Sequence, residues 1–191
     1  MARERKFTTD RLFQEVKHVL LEHGYEGFTF GHVAERLDIS RGALYKYYEN
    51  KEELITDFMI YEMDNALQDI RMIETHHGFE AQFDCLLEVI FEHSMMHQIL
   101  SMAHQLKGSS NQKVLENKSR LHEFHTSLYQ ILQQFIDRGR QEKVLKEHLP
   151  DELLLGVIIQ MINIPNHVGV QKEAWIRSVN EILRHGMFEK N

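Results

Sequence analysis

A single cysteine, Cys85, stands in the 191-residue chain, so no disulfide can close within it and a reducing compartment is expected. Two prolines, Pro150 and Pro165, and ten singly scattered glycines leave few breaks, which argues against a fold of short strands and tight turns and predicts long helices. No apolar run reaches the roughly 20 residues of a membrane span. The longest, LLLGVIIQMINI, stops well short. The opening MARERKFTTDR is charged with nothing apolar behind it, so neither signal peptide nor anchor is expected, and the chain reads as soluble and cytoplasmic. A surplus of positive charge is missing too: 22 Lys and Arg against 29 Asp and Glu give −7, and so acidic a chain gains no general attraction to nucleic acid. A Gly-rich phosphate loop, a nucleophile elbow, a recognisable triad and HExxH or cysteine-pair metal motifs are also lacking, so neither an enzyme nor a cofactor is expected.

What is present is unevenly placed. The first fifty residues hold eight Lys or Arg and eight Asp or Glu, leaving 14 against 21, and the whole net charge, for residues 51 to 191. Any nucleic-acid site is therefore a local patch, with candidates in RERK near the start and in Arg41, Lys46 and Lys51. Leu12, Phe13, Val16, Val19 and Leu20 recur at helical spacing, with Phe7 and Thr8 or Thr9 as staple and cap and Gly24 as a stop. A second, short helix starts at Thr29, where Phe28 and Val33 can staple, and ends near Asp38. A third starts after Ser40, with Ile39 and Leu44 as staple, and runs about two turns to Tyr48. Two short helices separated by DIS make a helix-turn-helix. A fourth begins at Asn50, where NKEE places Glu53 as in a capping box.

In such a unit the second helix enters the major groove, leading with its N-terminal residues. Leu44 and Tyr48 face inward, while Arg41, Tyr45 and Lys46 lie elsewhere around the helix and Tyr47 sits at its end. A phenol donates to a phosphate while its ring packs on protein, Gly42 lets the backbone approach base edges, and Arg41 can pair with guanine. The run FTFGHVAERLDISRGALYKYYENKEEL resembles the DNA-binding head of the TetR (tetracycline-repressor type) family of transcriptional regulators. That resemblance covers roughly residues 8 to 58. It implies phosphate contacts from Thr29, Tyr45, Tyr47 and Lys51, and base contacts from Arg41, Gly42, Ala43 and Lys46. Asp38 stands where the family usually has glycine, though Asp tolerates a left-handed turn; Tyr48 stands where phenylalanine is commoner.

The expected architecture is all-α, about nine helices: a three-helix head over residues 1–50 and a helical ligand-binding and dimerisation body over 51–191. Helix four is expected to reach about Thr75. Phe83, Leu86, Leu87, Ile90 and Phe91 then form a stripe opposite Glu80, Asp84, Glu88 and Glu92, a solvated face or a site for cationic ligands. A long helix from near Gln112 to Arg138 is expected to break or bend at Gly139. The segment DELLLGVIIQMINI is apolar nearly all round, and the last two helices, 151–166 and 172–188, are read as pairing with their symmetry mates in a homodimer, as in the TetR family, through Leu154, Ile158, Met161, Trp175, Val179 and Ile182. Two heads would then read half-sites of a double-stranded, pseudo-palindromic operator, released when a largely apolar small-molecule effector fills the body. Phe58, Tyr61, Met95, Met102, Phe124 and Tyr129 are its candidate lining, the alternative being plain core. Among 13 histidines, His93, His97 and His104, with His122 and His125 on a later helix, offer metal-like spacing but no accompanying motif, so they are read as surface or polar-core residues and no metal is expected. Cys85 sits among apolar neighbours as an inert thiol.

Overall fold

The computed structural model describes residues 7–95, 99 and 110–189, and of His125 only the backbone. Met102, His97, His104 and RERK lie outside the described residues. Eight α-helices are described: α1 Thr9–Gly27, α2 Phe30–Arg36, α3 Arg41–Leu44, α4 Lys51–Met72, α5 Phe79–Glu92, α6 Gln112–Gln141, α7 Asp151–Gln160 and α8 Lys172–Met187. Among these residues there is no strand, only one isolated bridge between Leu145 and Phe188. None of the helices is long and apolar enough to cross a membrane.

The chain forms two compact units, one of Met1–Met63 with Met96–His122 and the other of Asp64–Met95 with Glu123–Asn191. The first therefore holds more than the 1–50 head, because Leu54, Ile55, Phe58 and Met59 of α4 are fully buried. Thr8 caps α1 by accepting from Arg11 N at 3.2 Å, and Leu12, Val16, Val19 and Leu20 bury one face. At Gly24, with φ 65° and ψ −178°, the helical conformation stops as expected, and a short further turn carries α1 to Gly27. The expected capping box is present in part: Asn50 Oδ1 accepts from Glu53 N at 2.8 Å, while the Glu53 carboxylate reaches past the Asn50 amide to accept from Glu49 N at 2.8 Å.

In the second unit a shared core joins α5, the later turns of α6, α7 and α8. Phe79 stacks on Phe135 at 4.6 Å, and Phe188 lies 5.8 Å from Phe79 and 5.0 Å from Phe83. Contrary to expectation, Gly139 does not break α6. A Cβ there would stand 2.6 Å from Leu145 Cδ1 and from two ring atoms of Phe79, so glycine is needed for close approach. The acidic stripe of α5 is an exposed face, as expected, but its acids are not all left to repel one another. Arg184 of α8 pairs with Glu80 at 2.5 Å and Asp84 at 2.6 Å, and Lys172 pairs with Glu92 at 2.5 Å, which relieves the repulsion along the stripe. Burial alone would lower the Arg184 pKa, but its bonds to Asp84 and Glu80 outweigh that and raise it.

Leu154, Ile158 and Val179, expected at a dimer face, are only 2%, 1% and 4% exposed and belong to the protomer's own core. Met161 and Trp175 are half-buried against that core. Ile182 is 68% exposed, and Leu153, Ile164 and Val168, which were not named in advance, are exposed as well.

Candidate nucleic-acid interface

Local chemistry sets the shape of the head. Thr29 takes an extended conformation, and its hydroxyl accepts from His32 N at 3.3 Å, which starts α2. The turn after α2 needs one left-handed residue, and Asp38 supplies it at φ 54°. Ile39 N then returns to Ala34 O at 3.0 Å. Ser40 occupies the N-cap of α3 without a side-chain cap bond. The α-helical part of α3 is shorter than two turns: beyond Leu44 the chain continues in turns, with Tyr47 N and Tyr48 N both bonding Leu44 O at 2.9 and 3.1 Å. Leu44 and Tyr48 are buried, as the spacing predicts.

That anchoring turns Arg41, Gly42, Tyr45, Lys46 and Tyr47 outward, all exposed, with Ala43 half-buried between them. The Tyr45 ring leans on Phe30 at 4.7 Å, and its hydroxyl accepts from Arg41 Nη2 at 3.0 Å. Arg41 and Tyr45 thus hold each other in one arrangement, which reduces the ordering entropy of a contact made by both. Tyr47 sets its ring edge-on to Phe7 at 5.7 Å. At Gly42 a Cβ would meet nothing within 4 Å, so the fold does not itself require glycine there.

Lys51 is placed differently from its exposed neighbours. It is half-buried, donates from Nζ to Tyr25 O at 2.9 Å and lies 4.4 Å over the Tyr25 ring, clasping the end of α1 to the start of α4. One ammonium hydrogen is thereby used and two remain. The Tyr25 phenol donates to Glu52 at 3.0 Å. Burial first, and then the Glu52 carboxylate, pushes its pKa up to about 12, so it stays a neutral donor.

The five described candidates for an effector pocket are divided between the two units. Phe58 and Tyr61 belong to the first unit, in ring contact with Phe13 at 5.9 and 5.0 Å. In the second unit Phe124 is buried while Met95 and Tyr129 are exposed. The second unit has a cavity of about 20 Å³ lined by Ile70, Leu86, Leu132, Phe135, Gln82 and Arg138, among others. It has room for about one water. Arg138 Nη1 donates to Gln82 Oε1 at 2.7 Å there. Both residues sit on otherwise apolar helix stripes, a signal the sequence contained and the candidate list missed. A separate open groove of about 630 Å³ runs past Asp69, Cys85, Glu88, Ile176 and Arg177. Burial, then Glu88 and Asp69, raises the pKa of the Cys85 thiol. His93 bonds Asp69 at 2.8 Å, and no cluster of three or more His, Cys, Asp or Glu that could hold a metal occurs among the described residues.

Residues 17–57 match the model of the bacterial regulatory proteins, tetR family. The biofilm operon icaADBC HTH-type negative transcriptional regulator IcaR of Staphylococcus epidermidis is 24% identical over 132 residues, 67% of this chain and 69% of that protein. The ketosteroid transcriptional regulator KstR2 of Mycobacterium tuberculosis matches the fold with a TM-score of 0.69 at 17% identity, over 100% of this chain and 98% of that one. The transcriptional regulator FadR of Bacillus subtilis, solved with stearoyl-CoA, gives 0.66 at 20% identity, over 94% and 99%.

Proposed function

We propose that this chain, whose residues 17–57 match the model of the bacterial regulatory proteins of the tetR family, is a repressor of that family, a dimer that releases a pseudo-palindromic operator when a small, largely apolar molecule binds its helical body. The observation that carries the reading is the outward set Arg41, Gly42, Tyr45, Lys46 and Tyr47, fixed by the inward anchors Leu44 and Tyr48. In an acidic chain this is a local patch of hydrogen-bond donors on the second helix of a helix-turn-helix. Tyr45, Tyr47, Lys46 and the two spare donors of Lys51 take phosphates; Arg41 reads a base edge. Thr29 adds its exposed cap at the α2 end.

Repression follows the role of IcaR as a negative regulator, and an apolar effector follows the stearoyl-CoA bound to FadR. The dimer uses the apolar side chains the protomer leaves outside, Leu153, Ile164 and Ile182, with half-buried Trp175. Both α4 and α6 contribute residues to each of the two units, so an effector that shifts either helix changes the setting of the heads. A differential of about 1–3 kcal/mol between the two settings lowers operator affinity several-fold to a hundredfold.

The test is selection of duplexes from a random library by the purified protein, then binding measured with long-chain acyl-CoA thioesters added. A two-fold-symmetric site should emerge and acyl-CoA should weaken its binding. Arg41→Ala should relax preference at one base pair, and Lys46→Ala should weaken all sequences alike. Failure to enrich any duplex at low salt ends the DNA-binding reading; enrichment without any response to the thioesters ends the acyl-effector part alone.

A further inference from the structure

Within the first unit, the opening turns of α6 grip the junction between α3 and α4. Asn111 caps α6, accepting from Val114 N at 3.1 Å, and donates from Nδ2 to Glu49 Oε2 at 2.8 Å. Lys113 Nζ lies 2.7 Å from Asp57 Oδ2, 3.7 Å from Glu53 Oε1 and 5.8 Å above the Tyr48 ring. Asn117, 4% exposed, spends both amide hydrogens on α4: one to Asp57 Oδ1 at 2.8 Å, the other to Thr56 Oγ1 at 3.2 Å. The Thr56 hydroxyl passes its own hydrogen to Glu52 O at 2.9 Å. Tyr48 and Glu49 close the segment that carries Arg41, Lys46 and Tyr47, so α6 holds that segment from behind.

An apolar residue at 117 would fill the same space without needing partners. A buried amide with its donors satisfied permits few alternative arrangements, because any shift of α4 against α6 strands a polar group. Val114, fully buried one turn earlier, supplies the apolar packing without that restriction. The polar cluster is therefore suited to fixing an angle rather than to adding cohesion.

We propose that Asn117, with Asp57 and Lys113, is a positioning and specificity-determining device: it fixes the angle at which the recognition segment is presented and thereby the half-site spacing the dimer accepts. The inference rests on the reading of the chain as a DNA-binding dimer. Two heads engage sites separated by about one helical turn, ~34 Å, or a multiple. Each base pair added between half-sites shifts and rotates one site relative to the other, and only heads held at a set angle penalise that change. Loosened heads tolerate it.

The experiment measures binding to the library-selected duplex and to versions with one or two base pairs inserted or removed at its centre. Wild type, Asn117→Leu, Lys113→Ala and the exchange Asp57→Asn with Asn117→Asp are compared, alongside thermal melting and hydrogen exchange. Wild type should lose about tenfold or more in affinity per altered base pair, and Asn117→Leu about threefold or less. The exchange, which restores a donor–acceptor pair, should return most of the selectivity. Lys113→Ala removes a half-exposed ammonium that faces Asp57 and the buried Glu53, should leave the protein folded, and should flatten the profile in part. Faster exchange of the Glu49 amide in Asn117→Leu is expected independently of DNA. Unchanged spacing selectivity in both Asn117→Leu and Lys113→Ala overturns the proposal, even if melting temperatures fall. A wild type that binds duplex without spacing preference overturns it too, while one that binds no duplex overturns the function on which it rests.

Discussion

Gly42→Ala separates what the fold needs from what the interface needs. Gly42 has no left-handed φ, and an added Cβ would meet no atom within 4 Å, so the isolated protein has no steric use for glycine at this exposed position. Alanine in a helix is favoured over glycine by roughly 0.5–1 kcal/mol, partly because it narrows the unfolded ensemble. Since α3 spans only Arg41–Leu44, the lower figure applies, and a gain of about 0.5 kcal/mol raises the melting temperature by about 1–2 °C in a chain of this size. Binding should move the opposite way. A methyl between the backbone and the groove holds Arg41 off its base, and losing one bidentate contact costs about 1–3 kcal/mol, or about five- to 150-fold in affinity. The salt dependence should be preserved because no phosphate partner is removed. Thermal melting and fluorescence anisotropy on the selected duplex at several salt concentrations measure all three. If Gly42→Ala binds as tightly as the wild type, the backbone does not come close to the bases and the groove assignment of α3 is wrong.

Other substitutions probe the rest of the chain. Ile182→Glu places a charge on the most exposed side chain of the proposed dimer face; sedimentation should show monomers, with operator binding lost and the protomer's helicity kept. Gly139→Ala drives a methyl into Phe79, which cannot retreat because Phe135 stacks against it. Overpacking of this kind costs about 1–3 kcal/mol, more than the helix-propensity gain, so urea denaturation should show a lower midpoint. The hydrogen bond from Arg140 first, joined by one from Gln133 and opposed by burial, holds the Asp151 carboxyl below the usual carboxylate range. Its contribution is therefore complete above the unfolded value of about 3.9 and disappears as pH falls through the lower folded value. Asp151→Asn should be less stable at neutral pH and show a shallower loss below about pH 4 in acid-denaturation curves.

The head was legible because its signals are local. Thr29 with Phe28 and Val33, Asp38 in the turn, and Asn50 with Glu53 each fix a boundary through residues at most five apart. The body was less so, since its decisive partners are distant in sequence. Glu80 and Asp84 have the four-residue spacing of a solvated face, and only Arg184, a hundred residues later, makes them a seam between helices. On α7 the run LLLGVII is apolar on every side, so periodicity cannot tell Leu154, which is buried, from Leu153, which is not. Gly139 looked like a stop because glycine usually is one. Its reason is the approach of Phe79 and Leu145, which no spacing within α6 encodes. Asn117 was missed for a related reason: a polar residue on a buried stripe shows in the sequence, but its partners Thr56 and Asp57 do not.

The head's modest charge bears on how such a regulator can switch. Arg36 is held by Glu15 and Glu22, Lys17 by Glu62, and Lys113 by Asp57 and Glu53. Arg11, Arg41 and Lys46 make no ion pair with a described residue, which leaves them, among the described cations, able to replace counterions. Each phosphate neutralised contributes about 0.9 to the slope of log affinity against log salt, but eight Lys and Arg in the first fifty residues are balanced by eight Asp and Glu, so the head gains little from net charge alone. In the proposed dimer, useful affinity depends on both heads engaging together, because binding of one head sets a high effective concentration for the other. Affinity built this way is lost when the geometry fails, not when contacts are removed one by one. A strongly basic head would keep hold of DNA through a small change of angle; this one has little non-specific attraction to fall back on. On the proposed reading, the polar grip of α6 on α4, rather than any added charge, is where a modest structural change should most alter operator occupancy.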